Sequence, residues 1–308
     1  MNAPQKHTPP PPPERRAPEQ RAGLKFARMH GCGNDFVVID DRALHWHARR
    51  EELAQAVCDR RLGLGGDGLI LIQPGDDGAD FRMTYVNRTG MDGEMCGNGA
   101  RCSVLRAAQL GLIADKGVMA TDAGPIRAVL DGAIITLAMT PPTDERAPQR
   151  IEVEGQAFDC HFIDTGVPHA VAFLADRDTL ERLDVERYGR ALRHHAAFAP
   201  RGVNANFAVR LADGSYRMRT YERGVEMETL ACGTGAVAVG LMAQRRFGST
   251  APIALHPTGG GLLRIGFCMT PEGGFAGVTL SGPAELIAEG EITSDWLAAR
   301  GLMPALAG

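Results

Sequence analysis

Apolar and polar residues alternate singly along much of this chain, the spacing of strands with one buried face. Between residues 80 and 87, Phe81, Met83 and Tyr85 alternate with Arg82, Thr84 and Val86, and residues 216–221 repeat the pattern. Short apolar runs bounded by glycine-containing turns predict further strands at 24–29, 36–40, 69–72, 118–121, 126–130, 133–137 and 157–163. Others are predicted at 253–256, 261–267 and 277–280, with a last one around 281–292. Helical spacing is scarcer. It predicts helices at 51–61, where Leu53, Ala56 and Val57 share a face, at 104–112, at 180–195 and in the segment after Cys232. The pattern predicts an α+β protein of many short strands with two long central helices.

Those two helices begin alike. Cys96-Gly97-Asn98-Gly99 precedes one and Cys232-Gly233-Thr234-Gly235 the other, about half the chain apart. Glycine after the cysteine permits a tight turn and close approach of a ligand to main-chain N–H groups. The first N–H groups of a helix lack intrahelical partners and carry partial positive charge, so each turn suits a carboxylate. The same field is expected to pull a cysteine pKa down from about 8.5 toward neutrality. Two such loops facing one another would hold an amino-acid carboxylate, with one sulfur on each side of the α-carbon. A thiolate would remove the α-proton from one side while a thiol delivers a proton to the other, inverting the centre. A lone cysteine at a helix start reads as a small buried hydrophobe, but the duplicated context favours chemistry. Nucleophilic catalysis by one thiol leaves that duplication unaccounted for.

The 308 residues suffice for two domains with substantial cores. Pro141-Pro142 breaks the strand pattern and marks a boundary. The expected halves are 24–140 plus 281–308, and 141–280. A net charge of −4 with scattered basic residues gives no nucleic-acid footprint, and no apolar run is long enough to span a membrane. Seven cysteines without a secretory signal predict reduced thiols in a cytoplasm. Residues 1–23, with an unbroken run from Pro9 to Pro13, cannot bury a core and read as a disordered tail. Zinc is disfavoured, since Cys96 and Cys102 have no C-x-x-C or histidine cluster beside them. The glycine-rich run 62–68 lacks the Gly-Lys-Ser/Thr of a phosphate loop.

Three stretches then carry a resemblance. Met29-His30-Gly31-Cys32-Gly33-Asn34-Asp35-Phe36, Glu94-Met95-Cys96-Gly97-Asn98-Gly99, and Tyr221-Glu222-Arg223-Gly224 leading to Cys232-Gly233-Thr234-Gly235 resemble the diaminopimelate epimerase family. These pyridoxal-independent enzymes interconvert LL- and meso-diaminopimelate on the bacterial and plant route to lysine. The likeness runs from His30 to Ile292. It implies two pseudo-symmetric domains, each a curved, mostly antiparallel sheet wrapped around a central helix, with the active site in the cleft between them. By the same resemblance Cys96 and Cys232 are the catalytic thiols, aided by His169 and Glu222. Main-chain N–H groups at Gly97, Asn98, Gly233 and Thr234 would hold the reacting carboxylate. Asn34, Asn87 and Asn204 would contact substrate, Arg223 would clamp the distal carboxylate, and Glu222 would meet the distal ammonium or support the thiol chemistry. No cofactor and no metal is implied, and a homodimer is. The pathway implied is lysine and peptidoglycan precursor synthesis.

Three positions depart from the family pattern. Gly68 stands where a substrate-contacting Gln is frequent, and Val167 where the motif is commonly Gly-Asn-Pro-His. Cys32 stands where the family usually has an apolar or small residue, and no catalytic role is assigned to it. The alternatives are a two-cysteine racemase for another amino acid, such as histidine or lysine, and a non-catalytic descendant that binds a ligand in the same cleft. Proline and hydroxyproline racemases typically carry His after the first Cys-Gly, where this chain has Asn98.

Two sulfurs about one substrate carbon apart in the closed state should be joined reversibly by oxidation. Activity lost to oxidant should return with dithiothreitol; an inactive form in which mass spectrometry finds both thiols free would contradict the arrangement.

Overall fold

A computed structural model describes residues 23–93 and 95–303. The expected disordered tail lies outside the described residues except for Gly23, as do Glu94 of the first cysteine motif and residues 304–308. In chain order the first half runs β1 (Leu24–Gly31), β2 (Asn34–Asp40), α1 (Arg50–Val57), β3 (Gly68–Pro74), β4 (Phe81–Asn87) and α2 (Gly97–Gln109). It continues through β5 (Lys116–Ala120), β6 (Ile126–Asp131) and β7 (Ile134–Ala138). Then follow β8 (Thr143–Val153), β9 (Gln156–Asp164), β10 (Pro168–Phe173), α3 (Arg177–Arg182), α4 (Val185–Arg193), β11 (Asn204–Arg210) and β12 (Tyr216–Glu222). The chain ends with β13 (Met227–Thr229), α5 (Gly233–Phe247), β14 (Ile253–His256), β15 (Leu263–Met269), β16 (Phe275–Pro283), β17 (Glu285–Ile292) and α6 (Ser294–Ala298).

All the strands belong to one continuous, mostly antiparallel sheet, in which one pattern of pairing occurs twice. β1–β2 is a hairpin, β2–β3 is parallel, and β3–β4 is antiparallel. Likewise β9–β10 is a hairpin, β10–β11 is parallel, and β11–β12 is antiparallel. Each half curls around its own helix. α2 packs Ala100, Cys102, Val104 and Ala107 against inward residues such as Phe36, Ile70, Phe81 and Met83. α5 is apolar nearly all round, and packs Val237, Val239, Leu241 and Met242 against Val171, Met218, Leu255 and Ile265. Such a helix has to be enclosed.

Because alternate strand residues point to opposite faces, the sheet has a second apolar surface outside. Over the first half, Val37, Ile39, Leu69 and Leu71 are covered by α1 and by Leu297 and Leu302 of the C-terminal segment. Over the second, Ala205, Phe207 and Val209 are covered by α3 and α4 through Leu180, Val185 and Leu192. The halves are stitched by β16, which pairs with β15 on one side and with β7 on the other. Beyond Ala284 the chain enters β17, which pairs with β1. Leu280 of β16, fully buried, lies where both central helices begin.

Some elements differ from the pattern-based expectation. The helix predicted over 180–195 is two. Leu183 is extended (φ −64°, ψ 132°), and the Asp184 carboxylate accepts from the Arg187 N–H to start α4. The helix predicted to Arg61 stops at Val57, whose carbonyl accepts from the N–H groups of Leu64 and Gly65 as the chain doubles back. β8 was absent from the expectation because its first eight residues are exposed, so no buried face marks it. The strand expected around 281–292 is divided at Ala284 between β16 and β17.

Leu280→Ala removes the side chain on which both helix starts rest. It should destabilise the protein by about 2–5 kcal/mol, the range for such truncations in a closed core, as read from the urea midpoint.

Candidate active site

Both cysteines sit at the N-cap positions of the buried helices, in almost the same backbone conformation. Cys96 has φ −113° and ψ 109°, and Cys232 has φ −118° and ψ 112°. Each sulfur accepts from the N–H three residues on, Gly99 to Cys96 and Gly235 to Cys232, both at 3.4 Å. An extended cap residue whose side chain turns back onto the first turn is the ordinary way to start a helix. Here a thiol does what a serine or aspartate usually does.

The two starts touch. A Cβ added at Gly97 would lie 3.4 Å from the Gly233 Cα and 2.9 Å from Leu280 Cδ2. One added at Gly233 would lie 3.2 Å from the Gly97 Cα and 3.0 Å from the same Leu280 atom. Asn98 bridges the halves, donating from Nδ2 to the Ala231 carbonyl at 2.8 Å and to Asn34 Oδ1 at 3.1 Å. Its Oδ1 accepts from Arg101 at 2.9 Å. With its amide so engaged, the group Asn98 can offer a ligand is its main-chain N–H.

Arg101 is fully buried one turn into α2, and was not picked out from the sequence. Its guanidinium also donates to the carbonyls of Gly97 (3.2 Å) and Pro283 (3.1 Å), and meets Cys32 Sγ at 3.7 Å. The cation ties the first helix start to the β16–β17 junction. Asn34 reaches the site because Cys32 and Gly33, both at positive φ, close a two-residue hairpin between β1 and β2. Its Oδ1 accepts from the Cys96 thiol at 3.6 Å and its Nδ2 donates to Asp67 at 2.7 Å.

From the second half, Cys232 Sγ lies 3.6 Å from Thr234 Oγ1. The Thr165 hydroxyl donates to the Thr234 carbonyl at 3.1 Å. Asn204 accepts the Arg223 N–H at 2.8 Å and donates to the Pro168 carbonyl, joining the ends of three strands. Glu222 ends β12 and accepts from the Thr229 hydroxyl at 2.9 Å. Its charge bears on both Cys96 and Cys232, and the charge of Cys96 bears on Cys232. Asn87 stands apart: its Oδ1 is engaged by Thr89 within its own turn, and among the described residues it bonds no other predicted site residue.

His169 is wholly buried. Nδ1 accepts from Asn206 Nδ2 at 3.1 Å, which assigns the proton to Nε2, and that atom has no partner among the described residues. Burial first, and then the Arg223 charge, lower the imidazole pKa to about 3, so the ring is neutral. Asn206 is the second residue that the sequence reading passed over. It also accepts from the Thr220 hydroxyl at 3.0 Å, and a Cβ on Gly235 would meet its Oδ1 at 2.5 Å. The available signal was its position two residues after Asn204, on the same strand face.

The thiols do not titrate where the helix field alone would put them. Burial pushes Cys96 up to about 11, outweighing the Gly99 N–H that pulls it down. Burial likewise raises Cys232 well above the ordinary thiol range, with the Glu222 charge adding to it. The expected shift toward neutrality is reversed because desolvating a thiolate costs more than the helix N–H groups return. A cleft of about 990 Å³ reaches this region, lined by Met83, Tyr85, Met95, Thr165, Val167 and Thr234 among others. The arrangement can hold an anion at two apposed helix starts and keeps two protonated sulfurs beside it.

Against known proteins, the model of the family described as diaminopimelate epimerase matches residues 26–142 and again 161–281. A diaminopimelate epimerase of Chlorobaculum tepidum is 41% identical over 270 residues, covering 86% of this chain and 100% of its own. One from a Hydrogenobaculum species is 40% identical over 229 residues, covering 71% of this chain and 82% of its own. In fold, the chain is similar to the crystal structure of a PhzF-family phenazine biosynthesis protein from Bacillus anthracis. The TM-score is 0.70 at 14% identity, covering 88% of this chain and 99% of that one. The two matched segments each contain one of the capping cysteines.

Cys96 is raised from about 9 to about 11 in the folded protein, so folding favours its protonated form. Its contribution to stability is complete below pH about 9 and is lost as pH rises toward about 11. Urea midpoints measured across that window should fall less steeply for Cys96→Ser than for the unmodified protein; identical slopes would contradict the assignment.

Proposed function

This chain belongs to the diaminopimelate epimerase family, and we propose that it interconverts LL- and meso-diaminopimelate by proton transfer between Cys96 and Cys232. The observation that carries this is the matched pair of cysteine caps on helix starts that abut through Gly97 and Gly233. A carboxylate at that junction receives main-chain N–H groups from both helices. As the α-proton leaves, charge spreads onto the carboxylate, and fixed donors there are worth roughly 3–4 kcal/mol each in a site closed to water. One sulfur removes the proton while the other supplies its own from the opposite side, and the reverse reaction exchanges the roles.

Burial keeps both thiols protonated before substrate binds. The thiolate therefore forms when the substrate ammonium supplies a neighbouring positive charge. The Glu222 charge opposes a second thiolate, so the pair retains one proton for delivery. His169, neutral and held by Asn206, lies buried in the second half and does not compete for that proton. Arg223, Asn204, Asn34 and Asn87 take the rest of the substrate. We place the enzyme in the cytoplasm as a homodimer, serving lysine and peptidoglycan precursor synthesis. Among the described residues no helix is long and apolar enough to cross a membrane.

A second reading, racemisation of an amino acid with a different distal end, draws on Val167, an apolar side chain lining the cleft. Incubation in D₂O with LL-diaminopimelate and a panel of amino acids, histidine and lysine included, separates the two by which substrate takes up α-deuterium. Cys96→Ala and Cys232→Ala should each lower epimerisation by roughly 10³-fold or more, at the strong end of what a positioned acid or base contributes. A Cys96→Ala protein inverting diaminopimelate at the unmodified rate would end the two-thiol mechanism.

A further inference from the structure

Tyr85 lines the cleft but has been given no role so far, and its ring is closely confined. It leaves β4 on the face turned toward α2, two residues before Asn87. A Cβ at Gly68 would lie 2.4 Å from its Cε2, and one at Gly93 would lie 2.2 Å from both Cδ1 and Cε1. No side chain at either position could coexist with the ring in this place. Phe36 meets it edge-on, with centroids 5.8 Å apart and planes at 84°. These three contacts fix the rotamer, and with it the position of the hydroxyl.

The ring is half-buried, and the residue lines the cleft with no hydrogen bond from its hydroxyl to any described residue, which leaves a donor for a ligand. Tyr85 lines the cleft that reaches Met95, next to Cys96, and Thr234, next to Cys232. Burial raises its pKa, with the charges of Cys96 and then Glu222 adding to the rise. A phenol that stays protonated is a donor there. The reacting carboxylate already has the helix N–H groups, so the acceptor left for this donor is the other end of the substrate.

We propose that the Tyr85 hydroxyl is a substrate-binding donor, hydrogen-bonded to the distal carboxylate of diaminopimelate, and that it thereby helps determine substrate choice. Gly68 then has a positive reason to be glycine. It makes room for a rigid phenol that enters from the neighbouring strand, in place of a flexible side chain rising from its own position.

The inference rests on the diaminopimelate reading, and the test separates the two. In full-length Cys96→Ala protein, which should bind without turnover, calorimetry with meso-diaminopimelate gives Kd for the parent and for the Tyr85→Phe double variant. Phenylalanine keeps the clamped ring and removes only the hydroxyl. The expected result is binding weakened about tenfold or more, the effect of losing a hydrogen bond to a charged group, with the melting temperature of the parent retained. A change in Kd of less than about threefold would overturn the role for Tyr85 while leaving the substrate assignment standing. Failure of the parent to bind meso-diaminopimelate at all would overturn the substrate assignment itself, and this inference with it.

Discussion

The structure depends on one close approach: two buried helices begin so near each other that a side chain on either first residue would crowd Leu280. Gly97 and Gly233 meet over Leu280: a methyl group on either would lie about 3 Å from Leu280 Cδ2, and one on Gly233 would also crowd the Gly97 Cα at 3.2 Å. Everything in the site is referred to that contact. It brings a cysteine from each half to the same boundary and lets Asn98 cross to the Ala231 carbonyl. It also requires β16 to lie beneath both helices, which is why this strand pairs with strands of both halves. A duplicated fold with its halves merely side by side would give two separate half-sites. The shared strand makes them one.

The second constraint is electrostatic. Helix N-termini favour negative charge, and burial opposes it, and at these cysteines burial prevails. Around the junction stand neutral thiols, a neutral imidazole at His169, the charges of Glu222 and Arg223, and the buried guanidinium of Arg101, whose donors are turned to carbonyls, an amide and the Cys32 thiol. A site in this state gains most from a ligand that brings both a carboxylate and an ammonium. An α-amino acid is such a ligand. The polar groups around the thiols are held by one another and by the backbone, as in the run from Thr220 through Asn206 to His169.

Much of this was legible in the amino-acid order. The cysteine turns, the strand alternation around Phe81 and the apolar α5 are local patterns, and a local pattern is enough where a helix must be enclosed or a turn requires glycine. The repeat of Cys-Gly-x-Gly in each half carried the chemistry, and the family likeness named its substrate. Other features were out of reach. Arg101 reads in the sequence as one more basic residue on a helix, because what distinguishes it is enclosure by segments far along the chain. Asn206 and Tyr85 read as ordinary strand residues, because their neighbours come from other strands and loops.

The sequence by itself determined where each helix starts, that a thiol caps it, and that glycine follows, since those are decided within a few residues of backbone. Tertiary structure alone decided that the two caps face each other and that their protons are held rather than released. It also decided that the space above Gly68 is filled from β4. Those outcomes depend on distances between segments remote in the chain and on how completely water is excluded around them, quantities that no local order of residues encodes.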